Sequence, residues 1–137
     1  PDQIARYQSK LSGPLLDRID LQVEVHAVPP DELLAQPAGE PSAAIALRVQ
    51  AAHALQVARQ GCSNSALDSA QIDLLCALDA SAARFMQLAA LRLGWSGRAM
   101  HRVLKVARTI ADLSAAETIA IAHLAEAMQF RRALPGA

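Results

Sequence analysis

Leu11-Ser12-Gly13-Pro14-Leu15-Leu16-Asp17-Arg18-Ile19-Asp20-Leu21 decides how this chain is read. Ser12 or Gly13 can cap a helix, and Pro14 suits the first helical position, where its missing N–H leaves no bond unmade. The helix is brief. Leu21, Val23 and Val25 then alternate with Gln22, Glu24 and His26, the two-residue period of a strand. Arg18 thus stands at a corner between helix and strand, where a fixed guanidinium can reach a phosphate on another molecule. A strand cannot satisfy its backbone alone, and no second strong strand pattern follows. The expectation is a strand belonging to a sheet whose other members lie outside this sequence.

Outward from that stretch, the chain turns helical. Pro29, Pro30 and Pro37 interrupt regular structure between His26 and Gly39. Ser42 to Gln60 reads as a helix with Ile45, Val49 and Ala52 on one face, stopped by Gly61. A shorter helix is expected between Leu67 and Leu78, with Ile72, Leu75, Cys76 and Leu78 as its apolar residues. Asp79 can cap the next, which runs to Leu93 with Phe85, Leu88 and Leu91 inside, and Gly94 closes it. Ser96 caps a long helix to Leu113, a Ser114-x-x-Glu117 capping box follows, and Ile119 to Arg132 forms the last helix.

Composition agrees with this pattern. The 137 residues suffice for one domain or part of a larger one. Hydrophobic residues make up 53% but aromatics only 3%, which suits closely packed helices with small contacts better than a β-sandwich. The formal net charge is zero, so no global field draws in nucleic acid or an anionic membrane. No apolar run approaches the roughly 20 residues of a membrane span. Cys62 and Cys76 lack metal or secretory spacing, which makes reduced thiols in a cytoplasmic protein the expectation.

The helix after Ser96 is sharply two-faced. At about 100° per residue, His101, Arg102, Lys105 and Arg108 fall within roughly 120° around Arg98. Met100, Val103, Leu104, Ala107, Ile110 and Ala111 take the other side. Arg98 lies in the first turn, where the helix dipole disfavours a cation unless an anion is present; a phosphate would answer both charges. A plain solvated stripe explains Arg102, Lys105 and Arg108 as readily. His26, His53, His101 and His123 form no i,i+4 ligand pair, so metal is not expected. His123 suits packing at the start of the last helix, Trp95 a packing anchor, and Asp17, Asp20 and Glu24 a solvated edge.

Two of these stretches carry a family resemblance. Residues 11–21 resemble the block after sensor 1 in AAA+ ATPases of the magnesium-chelatase and MCM group, whose arginine reaches across a subunit interface as an arginine finger. The resemblance puts Arg18 in that role. The run Trp95-Ser96-Gly97-Arg98-Ala99-Met100-His101-Arg102, continuing to Leu113, is similar to the sensor 2 helix of that group. The match is closest to magnesium-chelatase-like proteins of the YifB/ComM type, where the arginine at the Arg98 position reads the nucleotide's terminal phosphate. His123 to Arg132 looks like the closing lid helix.

The resemblance implies a mainly α fold: a helical lid bundle preceded by a short helix and one strand left from a truncated α/β core. Residues 1–27 would end the core, 28–40 link, and 41–137 form the lid with its sensor 2 helix. The Ser42–Gln60 helix would be an insertion of the kind that swings the lid round in some relatives. The implied function is ATP hydrolysis between subunits of a ring, commonly a hexamer, driving DNA remodelling or branch migration in the cytoplasm. DNA is then an expected partner of the assembly, with Arg102, Lys105 and Arg108 as its contacts or contacts to a neighbouring subunit. ATP and Mg²⁺ would be cofactors of the intact protein. This piece should be inactive alone, because it has neither a G-x-x-x-x-G-K-[ST] loop nor a strand ending in magnesium-holding acids. Two rivals remain: a magnesium-chelatase motor subunit, and a stand-alone helical DNA-binding module, which the orphan strand and zero charge oppose.

Overall fold

A computed structural model of the chain describes Leu15, residues 18–31 and residues 39–131. Among the described residues the order is α1 (Ser42–Gln60), a 3₁₀ turn (Asn64–Ala66), α2 (Ser69–Leu75), α3 (Ala80–Leu93), α4 (Gly97–Leu113) and α5 (Ile121–Gln129). The fold is mainly α, a helical bundle.

Local chemistry sets most of the boundaries. Gly61 ends α1 at φ 78°, in the left-handed region, with its amide on the Val57 carbonyl at 2.8 Å. Asp68 and Gln71 exchange bonds at the start of α2: the Gln71 amide donates to Asp68 Oδ1 at 2.8 Å, and the Asp68 amide to Gln71 Oε1 at 3.0 Å. Asp79 caps α3 by accepting from the Ala82 amide at 2.7 Å, and this bond with that of the Ser81 hydroxyl lowers its carboxyl pKa. Gly94 closes α3 at φ 63°. Ser96 Oγ accepts from the Ala99 amide at 3.2 Å and starts α4. His123 does pack at the start of α5, where its Nδ1 accepts from the Ala120 amide at 3.1 Å.

The core gathers around α4. Its Ala99, Val103, Ala107 and Ala111 recur every four residues and are all buried. Three alanines in that row let neighbouring helices approach closely. Against them lie Ile72 of α2 and Cys76 at its C-terminal cap, Ala82 and Met86 of α3, Leu124 and Ala127 of α5, and Ile119 from the α4–α5 loop. Trp95 is half-buried and packed on the same cluster, the anchor expected of it.

Several expectations need correction. Residues 21–29 carry no regular structure, and Val25 is 87% exposed, so the Leu21–Val25 alternation is not expressed as a strand. The reason is the one that made it an orphan: no described residue offers a ladder to pair with. The short helix beginning at Pro14 lies outside the described residues except for Leu15, which is helical, and Arg18, in a turn. Leu88 and Leu91 of α3 are exposed, Leu91 by 81%; Ala82, Met86 and Ala90 face the core instead. Small residues bring α3 closer to the bundle than leucines would. In α1 no residue before Ala52 is buried and Ile45 and Val49 stay exposed; its buried residues, Ala52 and Gln56, lie in the C-terminal half. The Ser114-x-x-Glu117 box does not form. Ser114 Oγ donates back to the Ile110 carbonyl at 3.0 Å, and Ala115 turns the chain at φ 52°.

Candidate functional site

Of the five basic residues singled out in the sequence, the structure divides two from three. Arg18 is exposed in its turn, with its amide on the Leu15 carbonyl at 3.0 Å. Arg98 is the second residue of α4, also exposed, just inside the Ser96 cap. Neither guanidinium has an ion pair or hydrogen bond among the described residues. Two bare cations of this kind can each receive an anion without first breaking a bond, and Arg98 adds its charge to the amides of a helix N-terminus.

The other three are engaged within the chain. Lys105 Nζ donates to the Ser65 carbonyl at 3.0 Å, tying α4 to the 3₁₀ turn. Arg102 pairs with Asp20, 82 residues away in the chain, and its side chain is only 25% exposed. Asp20 keeps the solvent exposure expected of it, its side chain 46% accessible, but is paired as well. Two further bonds hold the same segment: the Gln22 amide donates to the Phe130 carbonyl at 2.8 Å, and Arg131 Nη1 to the Ile19 carbonyl at 3.2 Å.

Arg108 is a correction. It is 3% exposed and cannot meet DNA or a neighbouring subunit as expected. Its Nη2 and Nη1 donate to the Ala116 and Glu117 carbonyls at 2.6 and 2.9 Å, and its Nε to Asp112 Oδ1 at 3.1 Å. On the helical wheel Arg108 lies at the edge of the basic arc, and the α4–α5 loop closes over that edge.

Arg108 belongs to a buried polar cluster that sequence reasoning missed. Asp112 accepts from Arg59 Nη1 at 2.6 Å, Arg59 Nη2 at 3.0 Å and Asn64 Nδ2 at 2.9 Å, besides Arg108. Asn64 also donates to Thr109 Oγ1 at 3.0 Å, and its amide meets Gln56 Oε1 at 3.0 Å. Burial by itself would raise the Asp112 pKa. The hydrogen bonds of Arg59 and Asn64, with the charges of Arg108 and Arg59, outweigh it and leave the carboxyl below its ordinary value. The one local signal was the Arg108–Asp112 spacing of four, where Asp112 is the sole acid of α4. Beside this cluster, burial pushes the Cys76 thiol up to about 11, which keeps it protonated and unreactive. This cluster fastens α1 to α4, and α4 positions Arg98.

With this geometry in view, comparison with known proteins is decisive. Residues 39–131 match the family model for magnesium chelatase subunit ChlI, C-terminal, and residues 1–33 that for magnesium chelatase subunit ChlI. The chain belongs to the magnesium chelatase ChlI family. Among its relatives, the uncharacterized protein YifB of Salmonella typhimurium is 45% identical over 133 residues. The competence protein ComM of Haemophilus influenzae is 44% identical over 132 residues, and the uncharacterized protein YifB of Escherichia coli 43% over 133. Each alignment covers 96% of this chain but 26% of the relative, so this ChlI-family chain spans about a quarter of their length. No helix among its described residues is long and apolar enough to cross a membrane.

Proposed function

We propose that this chain is the C-terminal part of an AAA+ ATPase module that works between the subunits of a ring. Arg18 is the arginine finger, donated to ATP in a neighbouring subunit, and Arg98 is the sensor 2 residue that reads the terminal phosphate. The observation that carries this reading is the division among the basic residues. Of the five basic residues singled out in the sequence, the two that family resemblance places on nucleotide have no partner among the described residues, while Arg102, Lys105 and Arg108 have intrachain ones. A transferring phosphoryl group spreads negative charge over its oxygens, and guanidinium groups free to approach it stabilise that charge.

The residues fit one end of the nucleotide. Arg98, exposed beside the α4 amides, suits a terminal phosphate. No cluster of His, Cys, Asp or Glu among the described residues could hold magnesium. The sequence has no G-x-x-x-x-G-K-[ST] loop and spans only about a quarter of its relatives, so the phosphate cradle and the metal would be supplied by the rest of the full-length protein. The ring, commonly hexameric in the family, would perform ATP-driven DNA remodelling such as branch migration in the cytoplasm. Support for that branch over a porphyrin-metallation motor is the 44% identity to a competence protein. The stand-alone DNA-binding module is less favoured, because three residues of its stripe, Arg102, Lys105 and Arg108, have intrachain partners.

The test is Arg18→Ala in the full-length protein. ATP binding should stay near normal while turnover falls on the order of 10³–10⁵-fold, as for arginine fingers generally. Mixing this variant with one lacking the phosphate-binding lysine should restore part of the activity through mixed interfaces. Unchanged turnover in Arg18→Ala removes the finger role.

A further inference from the structure

Arg18 and Arg98 lie near opposite ends of one ion pair. Asp20 follows Arg18 by two residues, and Arg102 follows Arg98 by four, one turn along α4 on the same face. At about 1.5 Å rise and 100° per residue, Arg98 and Arg102 stand roughly 6 Å and 40° apart on the helix. We infer that the Asp20–Arg102 pair couples the Arg18 turn to the Arg98 helix, making Arg102 a positioning residue for hydrolysis. This inference rests on the roles given above to Arg18 and Arg98.

The joint is built of polar links. Besides the ion pair, it has the Gln22 amide on the Phe130 carbonyl at 2.8 Å and Arg131 Nη1 on the Ile19 carbonyl at 3.2 Å. Apolar packing across it is thin: Leu21 is exposed, and an open cleft of about 280 Å³ lies between it and Ile110, Leu113 and Phe130. A segment held this way follows its charge partners more than a hydrophobic seat. Arg102 is suited to lead it. Its Nε is buried with no acceptor among the described residues, so Asp20 is the one anion that balances a largely enclosed guanidinium. When a terminal phosphate draws Arg98, any shift of the first turns of α4 passes through Arg102 to Asp20. From there it reaches the turn that presents Arg18 to the next subunit. Phosphate held at Arg98 thereby sets the position of the finger.

Charge reversal in the full-length protein tests this. Asp20→Arg and Arg102→Asp should each lower kcat roughly tenfold, within the range of measured pairwise couplings, and leave the affinity for a non-hydrolysable ATP analogue unchanged. The double variant Asp20→Arg/Arg102→Asp should recover most of the lost kcat. Asp20→Asn, a milder change, serves if a reversal variant does not fold, and should also lower kcat without loss of analogue binding. Unchanged kcat in the single variants, or no recovery in the swapped pair, overturns the coupling. Arg18→Ala run alongside separates the two levels. If it too leaves turnover unchanged, the ATPase reading has failed; if it abolishes turnover while the reversals do nothing, only the coupling has.

Discussion

Asp112→Asn is the perturbation whose cost the structure sets most directly. The substitution keeps the shape of the side chain and removes its charge. Asp112 Oδ1 accepts from Arg59 Nη1 at 2.6 Å and Arg108 Nε at 3.1 Å, while Oδ2 accepts from Arg59 Nη2 at 3.0 Å and Asn64 Nδ2 at 2.9 Å. Whichever oxygen becomes an amide nitrogen, two donors then face a donor. Arg108, 3% exposed, also loses its counter-charge, although it keeps two carbonyl acceptors. Breaking a buried pair by removing one partner costs about 3–5 kcal/mol. Arg59 is partly in water and can recover some hydration, so the lower end, about 3 kcal/mol, is the expected value.

That is a large share of a net stability of roughly 5–15 kcal/mol. Urea and thermal denaturation of the isolated chain should show it as a lower midpoint with an unchanged urea slope and a Tm lower by on the order of 10–20 °C. The pH dependence supplies a second check. The folded pKa of Asp112 is depressed, so its contribution is complete above the unfolded value of about 3.9 and fades as pH falls towards the folded one. The gap between wild type and variant should be constant near neutrality and narrow below about pH 4. A loss under about 0.5 kcal/mol, or a gap that does not change with acid, would refute the account of the cluster as the fastening of α1 to α4.

Other outcomes follow from the same structure. Arg108→Ala strips the donors from the Ala116 and Glu117 carbonyls, and should cost about 2–4 kcal/mol and raise amide hydrogen exchange across residues 114–120. If full-length Arg108→Ala instead keeps wild-type stability and loses DNA affinity, the buried assignment is wrong. Leu91→Gln should alter stability by less than about 0.5 kcal/mol, whereas Met86→Ala, five residues earlier on the opposite side of α3, should cost roughly 2–5 kcal/mol in the same denaturation assay. Comparable losses from the two would restore the leucine-inward reading of α3.

What the residues determined alone is the series of helices and their ends. Asp79, Ser96, Gly61 and Gly94 act on backbone groups within five residues of themselves, so their effect is written locally. The family likeness of residues 11–21 and 95–113 is local in the same sense, and with it came Arg18 and Arg98. Tertiary structure decided the rest. The Leu21–Val25 alternation specifies a strand only where a second strand completes its hydrogen bonds. Leu88 and Leu91 have the composition of a core face, yet alanines at 82 and 90 let the other side pack closer. The wheel turned Arg102, Lys105 and Arg108 outward because it contains one helix. Asp20, the Ser65 carbonyl and the α4–α5 loop then arrived from elsewhere to cover them. Asp112 meets Arg59 across 53 residues and Asn64 across 48, and no periodicity within a single helix encodes which remote partner will neutralise a buried charge. Charge and hydrogen bonding are satisfied by whatever the fold brings within about 3 Å, so their outcome belongs to the packing of the helices against one another.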